Sequence, residues 1–463
     1  MSALAALLPE GLFAGVETAA GATITDVRPR GGGGASREGA ELTLRYPDGH
    51  SVDAYMNYDV HRAGAGDDAA FLREAAILRA LSGPFAGSGV ATARFIASIP
   101  ELRALVAQKV SGDANFQLLK GDPARQGLIV ADFMAQLAAL HRVDAHGIEG
   151  VPAPASLRVE IEQRIAALRE NNAVTGNPLI DLAADWLAAN IPPEPERMVV
   201  VHGDAGPANF LFAGDTVTAL LDWELVHIGD PMADMAMMCL RTLFQPFVPL
   251  KQAFADYEAA GGAKVDLARV RYWRLLFQAG FSSRSRHDDP NAPPPPNLGM
   301  NMVYSMVHRR VLAEALAEAS GVSLPTVAMP DAPEGPHARS FAIALDDLRD
   351  MIVPRLADQQ AAVKAKGLAR LVKWWRDIER FGPGFAAAEV AELSAALGTP
   401  FATLTEARAA LGVAVRAGTI DQPTAIRLCH AAVARDSALM ADAMGGLAHT
   451  RFPPLDKSKM RDL

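Results

Sequence analysis

The sequence predicts an α+β protein with a bilobal body, a small β-rich N-terminal lobe followed by a mainly helical lobe, and an added all-α C-terminal domain. Three observations carry that prediction. Short strand-like runs separated by turn residues fill the stretch from Thr23 to Met56, apolar residues recur at three- and four-residue spacing from Leu128 onward, and a Pro/Gly-rich stretch, Pro325 to Pro336, precedes a helical tail. The chain has 463 residues, more than one hydrophobic core usually organises, so several domains are expected. The boundaries read as 1–110, 111–325 and 337–463.

In the first segment the strands are Thr23 to Arg28, Glu41 to Tyr46 and Ser51 to Met56, with Pro47-Asp48-Gly49 as the turn between the last two. Phe71, Ala75, Leu78 and Leu81 fall on one helical face with Glu74 among them, so one helix is expected to pack on the sheet. Ala93 to Ile99 and Leu102 to Val110 close the lobe as further strands. The second segment opens with helices over Leu128 to His141 and Leu157 to Asn172. Val199 to Val201 and Val217 to Leu221 interrupt it, and the intervening Gly214-Asp215 suggests that these two runs form a buried hairpin. The tail predicts helices over Leu345 to Ala365, Ala369 to Phe381, Ala387 to Leu397, Thr405 to Ala417 and Pro423 to Ala443. Consecutive prolines at 293–296 exclude helix interior and predict an exposed loop.

Composition excludes several classes of function. Half the residues are hydrophobic and 21% are charged, which fits a folded globular chain. Lys+Arg number 44 against 53 Asp+Glu, with no long run of one sign, which speaks against a general nucleic-acid or anionic-membrane binder. Cys239 and Cys429 stand far apart without Cys or His partners, so neither a disulfide framework nor a thiolate metal site is expected. The start, Met1 to Pro9, carries no basic residue and does not read as a secretory signal, and no apolar run approaches the length needed to span a bilayer; a reducing, cytoplasmic location is expected.

The residues that carry chemistry run His202-Gly203-Asp204-Ala205-Gly206-Pro207-Ala208-Asn209, then Asp222-Trp223-Glu224, then Gly229-Asp230-Pro231 with Asp234. Asp204 follows a strand directly on a Gly-containing loop, where its carboxylate can accept a proton from an incoming hydroxyl. Asn209 offers an amide oxygen and Asp222 a charged oxygen to one cation. A carboxylate, an amide, water and phosphate oxygens suit Mg²⁺, which prefers few protein ligands. A lone Asp at a strand end is usually a cap or turn residue; here three such positions coincide in a strand-loop-strand context. Asp230 before Pro231 reads first as a helix cap. His202 reads as a hydrogen-bonded structural residue, and no partner is evident for His227.

This ordered set resembles the aminoglycoside phosphotransferase family, which includes choline kinase-like members and is a branch of the protein-kinase-like fold. The likeness covers roughly residues 20 to 320. It implies that Asp204 positions or deprotonates an acceptor hydroxyl, that Asn209 and Asp222 hold Mg²⁺, and that ATP, or GTP, lies between the lobes as the phosphate donor. It implies further that Asp230 and Asp234 anchor the loop or helix start. The tract Gly31 to Gly34, continuing to Ser36, stands where the family covers nucleotide phosphates, so Gly33, Gly34 and Ser36 become phosphate-loop candidates; four glycines between strands are equally well a flexible turn. Gln108 and Val110 fall at the family's hinge, with an ordinary connecting strand as the plain alternative.

One departure stands out. The family places Lys or Arg on the strand after the Gly-rich loop, paired with a helix carboxylate represented here by Glu74. Residues 51–58 contain no basic side chain, and the register puts Tyr55 or Met56 there. A neutral hydrogen bond is worth about 0.5–1.5 kcal/mol against about 1.5–3 for a charge-assisted one, so nucleotide binding should weaken. Arg37, Arg45 and Lys109 are the candidates to reach in instead, or Glu74 is a solvated helix residue. Tyr257, Tyr272, Trp273, Phe277 and Phe281 are candidates for an acceptor pocket, although aromatics at helical spacing are more often core. Arg284, Arg286 and His287 form a small basic cluster suited to an anionic group or to plain solvation. Trp374 and Trp375 read as packing or interface residues, with the tail the candidate surface for a homodimer.

The leading expectation is a small-molecule kinase acting on a hydroxyl-bearing substrate. A kinase-fold binding module that has lost catalysis is the alternative, favoured by the missing strand cation. A metal phosphohydrolase using His202, Asp204, Asp222 and His227 is a third reading.

Overall fold

The computed structural model describes residues 3–30, 37–60, 68–245, 247–283, 295, 297–453 and 455. Gly33, Gly34 and Ser36, the cluster Arg284, Arg286 and His287, and all of the proline tract except Pro295 lie outside the described residues. The chain divides into two compact units, one of residues 1–160, 193–270 and 455–463, the other of residues 161–192 and 271–454.

The first unit opens with helix α1 (Leu12–Ala20), then β1 (Thr23–Arg30), β2 (Glu38–Arg45), β3 (Ser51–Tyr58), α2 (Asp68–Ser82), β4 (Phe95–Ile99) and β5 (Ala104–Gln108). The five strands form one antiparallel sheet in the order β1-β2-β3-β5-β4. Strand alternation sends Leu42 and Leu44, Ala54, Met56 and Tyr58, Val106, and Ile99 to one face, where they meet Leu12 and Val16 of α1. Met56 is fully buried there, whereas Tyr55 is exposed on the other face, as period-two alternation requires.

Next come α3 (Pro123–Arg142), capped by the Asp122 side chain on Arg125 N–H, then α4 (Leu157–Thr175), which enters the second unit at Ile161, and α5 (Pro178–Ala189) within that unit. Back in the first unit are β6 (Val199–Val201), β7 (Phe210–Ala213), β8 (Thr216–Leu220), β9 (His227–Gly229), α6 (Met232–Arg241) and α7 (Leu250–Ala259). The expected hairpin between Val199–Val201 and 217–221 does not form. Gly214-Asp215 instead joins β7 to β8, while Val199–Val201 pairs with His227–Gly229. Apolar runs alone did not distinguish Phe210–Ala213 from loop, and the shorter connection won.

The second unit holds α8 (Leu267–Ser283) from Arg271 onward, α9 (Leu298–Ser320), α10 (Ala338–Asp346), α11 (Gln359–Leu397), α12 (Leu404–Ala417) and α13 (Gln422–Met444). The expected helix from Leu345 to Ala365 is broken: residues 347–352 form a π-turn, 353–355 a 3₁₀ turn containing Pro354, and α11 restarts behind the Asp358 cap. The helices expected separately at 369–381 and 387–397 are one helix, which runs through Pro383 because buried Leu371, Phe385 and Leu393 hold both halves in place. The tail, read as a separate domain at 337–463, packs α11 and α13 against α9, and α12 against α5, so its helices share a core with chain from the expected middle segment. Among the described residues no helix is long and apolar enough to cross a membrane.

Candidate active site

Asp204 is placed by a grip on the two residues before it. The backbone N–H groups of His202 and Gly203 each donate to the Asp234 carboxylate at 2.8 Å. Asp234, in the first turn of α6, is fully buried and also faces His141 Nε2 at 3.0 Å, whose Nδ1 meets the Tyr257 hydroxyl at 2.6 Å. Burial alone would raise the Asp234 carboxyl, but His141, His202 and the Gly203 N–H more than offset it and hold it below its ordinary value. His202 packs its ring on Trp223, and burial pushes its pKa down, so it stays neutral as a structural residue. Gly203 has φ +83°, and a Cβ there would stand 2.2 Å from the Leu225 carbonyl oxygen, so only glycine fits between the two segments.

The two metal candidates meet at the open end of the β7–β8 hairpin. Phe210 pairs with Leu220, Leu221 N–H donates to the Asn209 carbonyl at 2.8 Å, and Asp222 follows at once. Asn209 is buried, and its Nδ2 donates to the Asp204 carbonyl and to Asp204 Oδ2, both at 2.8 Å; its Oδ1 is therefore the end that can face a cation. Asp222 adopts a left-handed backbone, φ 62° and ψ 61°. Although part of the residue faces solvent, loss of water around its carboxyl, followed by the charges of Glu224 and Asp204, pushes its pKa up to about 6. A carboxyl crowded by like charge is one that a divalent cation would relieve, and the donor set of amide oxygen and carboxylate oxygen suits Mg²⁺ completed by water and phosphate. Among the described residues no group of three or more His, Cys, Asp or Glu side chains is arranged to hold a metal ion, the arrangement that a two-metal phosphohydrolase would use. His227, expected there, instead faces Leu225 O at 2.9 Å and Glu160 at 3.3 Å.

Glu74 is buried and paired, not solvated. Its partner is Arg37, just before β2, at 2.7 Å; Arg37 also approaches Glu224 at 3.7 Å. Burial raises the Glu74 carboxyl above its ordinary value, and Arg37 pulls it part of the way back. The position expected for the strand cation thus holds no partner for Glu74: Met56 is in the core, and Tyr55 lies against Gly39, where a Cβ would meet its hydroxyl at 2.3 Å. Of the other two candidates, Lys109 pairs with Glu41 at 3.0 Å, and the described contacts place no carboxylate with Arg45. Gln108 ends β5 with its N–H on Arg94 O at 2.8 Å, and Val110, half-buried, follows.

Asp230 behaves as the cap the sequence suggested, accepting from Met232 N–H at 2.9 Å and from Arg269 at 2.8 and 3.0 Å. The aromatic candidates for an acceptor pocket are largely core. Tyr257 supports His141; Tyr272, with its hydroxyl on Leu187 O at 2.9 Å, and Trp273 are buried; Phe281 stacks on His308. Sequence reasoning missed Arg241, which lies on Asp204. The available signal was its spacing: Arg241 is seven residues after Asp234, two helical turns on the same face.

Over part of its length the chain is similar to known proteins. The family model described as "Phosphotransferase enzyme family" matches residues 59–273. Residues 59–273 thus resemble that family. The matched segment contains Asp204, Asn209, Asp222, Asp234 and Arg241, and strands β1–β3 precede it. Acyl-CoA dehydrogenase family member 10 of Mus musculus is 30% identical over 146 residues, 30% of this chain and 13% of that protein. Acyl-CoA dehydrogenase family member 11 of Gallus gallus is 41% identical over 66 residues, 14% of this chain and 8% of that protein, so the match spans a small part of these relatives. Aminoglycoside 3'-phosphotransferase of Streptomyces fradiae is 30% identical over 169 residues, 33% of this chain and 60% of that protein. Among solved structures, macrolide 2'-phosphotransferase of Brachybacterium faecium superposes with a TM-score of 0.41 at 22% identity, covering 68% of this chain and 98% of that one.

Proposed function

We propose that this protein is a small-molecule kinase that transfers the γ-phosphate of Mg-ATP, or GTP, to a substrate hydroxyl. The observation that carries the reading is the meeting of Asp204, Asn209 and Asp222 at one end of the β7–β8 hairpin, beside an Arg37–Glu74 pair. Asp204 would receive the acceptor proton as the acceptor oxygen bonds to the γ-phosphorus; the bond from that phosphorus to the bridging oxygen breaks, and the nucleoside diphosphate leaves. Asn209 Oδ1 and Asp222 would hold Mg²⁺, which when bound supplies charge neutralisation to the phosphates. Nucleotide contacts are assigned to the 1–110 segment: Gly33, Gly34 and Ser36 on the phosphates, Gln108 and Val110 at the base, Tyr55 and Glu74 along the sheet and helix. Residues 111–325 would supply catalysis and 337–463 a helical domain suited to self-association. The binding-module alternative rested on the missing strand cation, and Arg37 offers a cation to Glu74 from just before β2.

The test is nucleotide consumption by the purified chain with Mg²⁺ and ATP or GTP against a panel of hydroxyl compounds. The names of the relatives justify including aminoglycosides and hydroxylated acyl-CoA thioesters beside sugars and amino alcohols. Asp204→Ala is expected to lower the rate about 10²–10⁴-fold. No turnover with any acceptor would overturn the reading, and an undiminished mutant would remove Asp204 from it.

A further inference from the structure

We propose that Arg241 is a positioning residue that fixes the Asp204 carboxylate so that a single lone pair of Oδ1 receives the acceptor hydroxyl. The inference rests on the kinase reading for the identity of that hydroxyl, and on the chain's own geometry for the rest. Arg241 Nε donates to Asp204 Oδ1 at 2.8 Å and Nη2 donates to Oδ2, a two-point grip of the planar guanidinium on the planar carboxylate. Asn209 Nδ2 takes a second site on Oδ2. An ionised carboxylate offers about four lone-pair sites, two on each oxygen. Among the described residues, then, Oδ2 is filled and Oδ1 has one site left. That site sets where a hydroxyl must approach.

The surroundings are shaped for this contact. Gly206 has φ +145°, and a Cβ there would lie 2.8 Å from Arg241 Cβ and 2.9 Å from its Cγ, so the loop makes room for the arginine stem where any larger residue would displace it. Helix α6 therefore holds the loop twice: Asp234 takes the backbone at His202 and Gly203, and Arg241, about 10 Å further along the axis, takes the Asp204 side chain. Arg241 also lowers the charge burden on Asp222.

The test uses the full chain, Arg241→Gln, Arg241→Lys and Gly206→Ala, each alone, and Arg241→Gln combined with Asp204→Asn. With the acceptor found in the panel, kcat should fall about 10²-fold in Arg241→Gln while the nucleotide KM changes less than about twofold, since misplacing a reacting group by about 1 Å costs that much. Lysine keeps the charge but cannot bridge both oxygens, so Arg241→Lys should recover only part of the rate, and Gly206→Ala should behave like Arg241→Gln. In the Asp204→Asn background the Arg241 change should cost nothing further. Full activity of Arg241→Gln, full rescue by lysine, or an equal loss in both backgrounds would overturn the proposal. Should the wild type turn over no nucleotide, the kinase reading falls by itself; the positioning role is then decided by crystal structures of Arg241→Gln, or of Arg241→Lys if the former does not fold. A turned Asp204 carboxylate supports it, and an unmoved one ends it.

Discussion

Two ion networks in this molecule look alike in contact and differ in balance. In the second unit, Arg309, Arg408 and Arg435 meet Asp436, Glu389 and Glu392, three cations to three anions, with Arg408 gripping Glu389 at 2.6 and 2.9 Å. At the candidate active site, among the described residues, Arg37 and Arg241 face Glu74, Glu224, Asp204 and Asp222, while Arg103, itself paired with Asp68, adds a weaker pull on Glu74, so anions outnumber cations. The balanced network matches charge for charge and ties helices together, although Arg435 Nε and Nη1 make no hydrogen bond. An unbalanced one is left with negative charge that a bound divalent ion would neutralise; the pKa of Asp222 is raised first by loss of water around its carboxyl and further by the neighbouring Glu224 and Asp204 charges.

The contrast can be broken first in the second unit. Glu389→Gln leaves Arg408 and Arg435 without their buried partner, and should destabilise by about 3–5 kcal/mol, read as a drop in the denaturant midpoint. A variant as stable as wild type would show that this network is ornamental. At the site, Arg37→Met should raise the nucleotide KM by roughly 10–100-fold, the equivalent of losing one charge-assisted contact of about 1.5–3 kcal/mol, and should also lower stability because Glu74 is left buried and unpaired. An unchanged nucleotide KM would return Arg37 to a purely structural role.

Asp222 gives the opposite sign to Glu389. Its folded pKa of about 6 lies above the ordinary 3.8, so its contribution to stability is present below about pH 4 and is lost as pH rises through 6. Asp222→Asn should therefore raise the melting temperature of the metal-free protein at pH 7–8, while turnover collapses. In the wild type, a proton competes with the cation below pH 6, so the Mg²⁺ concentration for half-maximal rate should climb as pH falls from 7 to 5. A flat profile would disconnect Asp222 from metal binding. The smallest effect is expected at Thr403, which forms a capping box with Glu406 at the start of α12: Thr403→Ala should cost about 1 kcal/mol and leave turnover untouched.

Much of the site was legible because its chemistry is local in the chain. The loop from His202 to Asn209 and the Asp222 segment flank one short hairpin, so spacing alone brought them together, and the sheet strands followed from alternation and turn residues. Features that depend on distant contacts were not legible in this way. Arg37 was one of three basic residues with equal claims, and only the sheet register aims it at Glu74. Val199–Val201 chose His227–Gly229, a pair that apolar content does not mark. Nor did the Pro/Gly stretch at 325–336 end a folding unit, because the faces of α11 and α13 find α9 across more than fifty residues of chain.

Gly203, pressed flat on the Leu225 carbonyl, makes the loop that carries Asp204 and the segment that carries Asp222 neighbours without any side chain of its own between them. A single added methyl group there would act as a wedge. Random mutagenesis screened for chains that stay folded and yet fall silent should find this position repeatedly, although glycine itself contributes no reactive atom.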